Sequence, residues 1–144
     1  SPLMRAASCH GVDHLFDVQA ALPRPEALRL QRSADVLLMF LWNGEKEGIY
    51  TTKLFEYAGA RRPILAVGQK GGDVARWIAD AGIGAAVDTA AAVADQLARW
   101  QQVKSSRGHL SVVPVKGHDF TRRTQFMRLE AHLQKLVEKN RSSR

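Results

Sequence analysis

The sequence predicts an α/β fold: a Rossmann-like, three-layer α/β/α arrangement around a mainly parallel sheet. Three observations carry this expectation. The runs Ala34-Asp35-Val36-Leu37-Leu38-Met39-Phe40-Leu41-Trp42 and Ile64-Leu65-Ala66-Val67 are apolar without alternation, the pattern of strands covered on both faces. Between them, Thr51–Ala60 puts Leu54, Phe55 and Ala58 at helical spacing on one face. A further helix and apolar run follow directly, and such alternation is the signature of a parallel layer.

In chain order, residues 1–13 show no periodicity and are expected to form a poorly ordered leader. A Rossmann-like unit is expected over 14–118, and a C-terminal helix with a basic tail over 119–144. His14–Val18 reads as a short strand, and Glu26–Arg32 as a helix with Leu28 inward and Pro25 in its first turn. The strand over 34–42 comes next. Its carboxyl end leads into the polar loop Trp42–Tyr50, the edge where open α/β sheets bind ligands.

The helix at Thr51–Ala60 has a threonine cap, with Gly59 at its end and the cations Arg61 and Arg62 beyond. Pro63 stops it before the Ile64–Val67 strand. Gly71-Gly72 then turns into a helix capped by Asp73 and running to about Ala81, with Val74, Trp77 and Ile78 inward. Gly82–Asp88 reads as the next strand, and Thr89 as the cap of a helix over 90–102. Lys104–His109 reads as a polar break. Leu110–Val115 reads as an edge strand, since Pro114 cannot donate to a central ladder. Phe120–Lys139 is a final helix with Phe126, Leu129, Leu133, Leu136 and Val137 on one face.

The 144 residues suit one domain with a core, and 45% hydrophobic with 24% charged residues is ordinary globular composition. The single cysteine, Cys9, excludes an internal disulfide framework and fits a reducing, cytoplasmic setting. Cys9 and five scattered histidines have no zinc-ligand spacing, so no metal is expected. No apolar stretch is as long as a membrane span requires, and the start has no apolar signal core.

The net charge of +7 invites an anionic partner. No helix-turn-helix, zinc-finger or aromatic RNA-binding pattern supports nucleic acid. The charge is concentrated after residue 100, which fits peripheral contact with acidic lipid head groups at the inner face of a membrane; a solvated basic face accounts for it equally.

The functional expectation rests on the start of the Thr51–Ala60 helix. Free N–H groups and the helix dipole make such an end an anion site, and Gly48, Thr51, Thr52 and Lys53 gather there. Glu56 lies one turn on, and Tyr50 and Trp42 could wall a base or sugar. A diphosphate on the helix end with ribose hydroxyls on Glu56 would fit a nucleotide. On these residues alone, threonines that only cap and a glutamate that is only solvated fit as well.

The run KLFEYAGARRPILAVG, after a glycine-containing loop and before Gly-Gly-Asp, resembles the nucleotide-sugar-binding half of retaining GT-B glycosyltransferases of the group called family 4. The similarity extends over about 20–99 and is most specific at Lys53–Gly68. The resemblance implies that Glu56 holds the donor ribose and that Thr51, Thr52 and Lys53 meet the diphosphate, with Gly71 and Gly72 near the donor. The family pairs two glutamates eight positions apart. Here Gly48 stands eight before Glu56: either a one-residue loop difference makes Glu47, one position off, the sugar-contacting carboxylate, or the chain belongs to a branch lacking the first carboxylate. Lys53 and Glu47 are therefore the catalytic candidates, and Arg61 or Arg62 could add charge toward the departing diphosphate.

A complete enzyme of this kind has a second domain that binds the acceptor, so the chain is expected to bind the nucleotide sugar without transferring it alone. No Asp-x-Asp triplet is present, which fits a metal-independent mechanism. Two alternatives remain open: half of a nucleotide-sugar epimerase of the same fold, and a non-catalytic basic α/β interaction module.

Overall fold

A computed structural model describes residues 2–41, 51–115 and 121–142 of the chain. Their elements run α1 (Pro2–Cys9), a 3-10 turn (Asp13–Leu15), α2 (Arg24–Ser33), β1 (Leu37–Phe40), α3 (Thr52–Ala60), β2 (Ile64–Val67), α4 (Asp73–Asp80), β3 (Gly84–Val87), α5 (Ala90–Arg107) and α6 (Arg122–Ser142). The fold is α/β and Rossmann-like. The sheet is small, open and wholly parallel, in the order β1-β2-β3, with Leu37 beside Ile64 and Ile64 beside Gly84.

Alternation along the strands sorts the sheet residues onto two faces. On one face Met39, Ile64 and Ala66 join Leu54 of α3, Ile78 of α4, Ala81 and Ile83 in a single buried cluster. Helices α3 and α4 therefore cover the same side. On the other face Leu65 and Val87 are buried, but on β1 Leu38 is 49% and Phe40 76% exposed. The run over 34–42, expected to be buried on both faces, is thus an edge strand with one covered face.

Several elements differ from the sequence expectation. Residues 2–9, expected to be irregular, are helical and bury Ala7. His14–Val18 forms no strand: the backbone makes a 3-10 turn, and Leu15, Phe16 and Val18 stay exposed. Leu110–Val115 is not a strand either. Its N–H groups go to separate loop ends, Val112 to the Arg61 carbonyl (3.2 Å) and Val115 to the Ala81 carbonyl (3.0 Å), and Pro114 has none to give. The expected break at Lys104–His109 is mostly helix, because α5 runs on through polar but helix-compatible residues. It stops at Gly108, whose φ of 77° makes a left-handed cap.

Helix α3 ends unusually. Gly59 sits inside it with open space around its Cα, and the left-handed cap is Arg61, at φ 57°. Beside it, Arg62 donates from Nε to the Arg32 carbonyl at 2.8 Å and from Nη1 to the Leu110 carbonyl at 2.5 Å. Arg62 thereby ties the end of α2 and the 110–115 segment to the start of β2. No helix among the described residues is long and apolar enough to cross a membrane.

Candidate functional site

All three strands point the same way, so their carboxyl ends, Phe40, Val67 and Val87, share one edge. Ligands of open α/β sheets bind at that edge. Helix α3 joins parallel strands and must run back against them, which brings its N-terminus to the same edge; α4 and α5 begin there too.

Helix α3 is preceded by its cap residue Thr51, which is extended (φ −85°, ψ 150°) and makes no side-chain cap bond. The expected threonine cap is therefore not formed through the hydroxyl; Leu54 N–H reaches only the Thr51 carbonyl, at 3.1 Å. Thr51, Thr52 and Lys53 are all exposed. In contrast, the Thr89 hydroxyl caps α5 by accepting from Ala92 N–H at 3.2 Å. The Thr51 hydroxyl thus takes none of the first-turn N–H groups of α3, whereas the Thr89 hydroxyl takes one from α5.

Glu56 lies one turn along α3, with its side chain 28% exposed. Its Oε1 is 3.2 Å from Nη2 of Arg24, which opens α2. A carboxylate has about four acceptor positions, so this ion pair leaves room for further hydrogen bonds. Next to it, burial and then the Glu56 charge raise the Tyr57 hydroxyl above the ordinary tyrosine value.

The other flank of α3 faces an apolar cleft of about 800 Å³. Thr52 and Phe55 line it from α3, Trp77 from α4, and Arg122, Phe126 and Leu129 from α6. Phe55 and Trp77 meet edge to face, 6.1 Å apart at 72°. This geometry suits aromatic rings. The cleft brings α6 beside the start of α3, a juxtaposition that no local sequence pattern signals.

After β2, Gly68 adopts φ 139° and the chain passes through Lys70 to α4. The cap of α4 is Gly72 rather than the expected Asp73, whose carboxylate is held by Arg76 instead. Gly71 and Gly72 are not in the left-handed region, and a Cβ would be tolerated at either. Lys70 Nζ pairs with Asp88 at 3.1 Å, joining the loops that follow β2 and β3. Sequence reasoning missed both Arg24 and Lys70, since their partners lie on other elements.

The structure therefore gathers Thr51, Thr52, Lys53, Glu56, Gly71 and Gly72 around one edge. Glu47, Gly48 and Tyr50 lie outside the described residues. Arg61 and Arg62, beyond the C-terminus of α3, are at the opposite end of that helix from the site. Arg62 is a structural tie, as described above. Among the described residues, no group of three or more His, Cys, Asp or Glu side chains could hold a metal ion. Comparison with protein-family models, curated proteins and solved structures finds no match to this chain.

Proposed function

We propose that this chain is the donor-binding domain of a glycosyltransferase, binding a nucleotide-diphosphate sugar at the carboxyl edge of its sheet. The observation that carries the proposal is the start of α3. It lies at that edge with no cap from the Thr51 side chain, presents Thr51, Thr52 and Lys53 to solvent, and holds Glu56 one turn away. In this reading the diphosphate sits on the first-turn N–H groups and Lys53, with the dipole at the start of α4 adding positive potential. Glu56 accepts the two ribose hydroxyls. The resemblance of Lys53–Gly68 to family 4 glycosyltransferases supports the same assignment.

Such a site would act by positioning the donor and stabilising charge on the departing diphosphate, with no metal needed. Lys53 is the cation proposed for that role, and Glu47 the carboxylate proposed for the sugar. Transfer would require a second domain carrying the acceptor. The reading places the protein in the cytoplasm, where the lone thiol of Cys9 stays reduced.

Calorimetry with UDP, GDP and ADP tests the proposal, using wild type, Glu56→Ala and Lys53→Ala. One diphosphate should bind, and each substitution should weaken it about tenfold or more, as for a lost hydrogen bond or contact to a charged group. Absence of binding by all three nucleotides to the folded wild type would defeat it.

A further inference from the structure

The last helix carries a feature that the nucleotide site does not use. Along α6, Phe126, Leu129, Leu133, Leu136 and Val137 are 69, 52, 52, 47 and 54% exposed. At 3.6 residues per turn they fall within an arc of about 100°. Only the first two touch the cleft over Phe55 and Trp77. Arg128, Lys135 and Lys139 form a second rank along the flank beyond Leu129 and Leu136. Over its whole length the helix has six Arg or Lys (Arg122, Arg123, Arg128, Lys135, Lys139, Arg141) against Glu130 and Glu138.

We propose that α6 docks on an anionic lipid bilayer, lying in the plane of the interface with its apolar stripe among the acyl chains. Exposed Phe and Leu side chains can enter the head-group boundary, and the neighbouring rank of basic residues is drawn to anionic head groups. The helix is too polar to cross a membrane. Charge complementarity selects this occupant over a second copy: two chains of +7 repel, whereas a negative surface neutralises the same charge. The bilayer also supplies an apolar layer for a stripe that the rest of the fold leaves 47–69% exposed at every position.

Sedimentation of the full chain with lipid vesicles tests this directly. The chain should pellet with vesicles of mixed phosphatidylglycerol and phosphatidylcholine and stay in the supernatant with phosphatidylcholine alone. High salt should weaken the binding. Two double variants separate the contributions: Leu133→Ser with Leu136→Ser removes the apolar contact, and Lys135→Glu with Lys139→Glu reverses charge. All four positions are exposed, so the fold should survive, which circular dichroism checks. Each double variant should lose about tenfold in vesicle affinity. Equal pelleting with both lipids, no pelleting with the anionic vesicles, or undiminished binding by the serine variant would each overturn the proposal. A dimer in equilibrium sedimentation that ignores vesicles would assign the stripe to a second copy. None of these measurements involves a nucleotide, so the two proposals stand or fall separately.

Discussion

Arg24 Nη2 lies 3.2 Å from Glu56 Oε1, so the start of α2 is tied to the middle of α3 at the residue assigned to the ribose. Arg24 is 71% exposed on its side chain, and pairs this open to water contribute at most about 1 kcal/mol. Arg24→Ala and Glu56→Ala should therefore have similar, small effects on urea unfolding. Their effects on nucleotide binding should differ: Arg24→Ala stays within about threefold of wild type, while Glu56→Ala loses tenfold or more. Equal losses in calorimetry would mean that the pair acts as a structural unit and that Glu56 does not contact the ligand itself.

The end of α3 gives a pair of opposite predictions at adjacent positions. Arg61 occupies the left-handed cap at φ 57°, a conformation that costs an L-residue about 1 kcal/mol relative to glycine. Arg61→Gly should raise stability by up to about 1 kcal/mol. Arg62→Ala removes two hydrogen bonds from a charged donor to the Arg32 and Leu110 carbonyls, and should lower stability by about 2 kcal/mol. Denaturant midpoints of both variants check the two signs, and a shift of both in the same direction would refute this account of the turn.

Gly84 makes a sharper case. An added Cβ would collide with the Ile64 carbonyl and its neighbouring backbone atoms on the paired strand, and backbone yields less than a side chain. Gly84→Ala should cost about 3 kcal/mol through overpacking between β2 and β3. Gly71, where an added Cβ would meet nothing within 4 Å, should accept alanine with a change within about 0.5 kcal/mol. The comparison also bears on function. If Gly71→Ala leaves stability intact but weakens nucleotide binding, close approach of a phosphate becomes the reason for glycine there.

The parts of the fold legible in the sequence were those where local chemistry and tertiary burial agree. Ile64–Val67 is apolar, follows Pro63 and lies in the middle of the sheet, so its composition and its environment coincide. Thr89 as the cap of α5 was equally legible, because a threonine hydroxyl acts within one turn. The misread elements depended on distant partners. His14–Val18 and Leu110–Val115 have strand-like composition, but neither pairs with a strand among those described. At the candidate site, the exposed start of α3 followed from its residues. The Arg24–Glu56 pair and the cleft shared with α6 did not, since α2, α3 and α6 are far apart in the sequence.

The last prediction concerns Tyr57, the residue after Glu56. Burial, and secondarily the Glu56 carboxylate, disfavour its phenolate and raise its hydroxyl above the ordinary 10.0. The folded chain therefore keeps a proton that the unfolded chain releases first as pH rises. Tyr57 contributes full stability below about pH 10, and that contribution falls as pH climbs toward the raised folded value. Phenylalanine has no proton to lose. Urea unfolding at pH 8 and pH 11 should thus show wild type losing more stability than Tyr57→Phe over the same interval, with Tyr50 and the lysines common to both chains. In Glu56→Ala the extra loss should shrink but persist, because the larger cause is burial. Parallel pH profiles for wild type and Tyr57→Phe would show that the hydroxyl ionises alike in both states, and that α3 does not shield it.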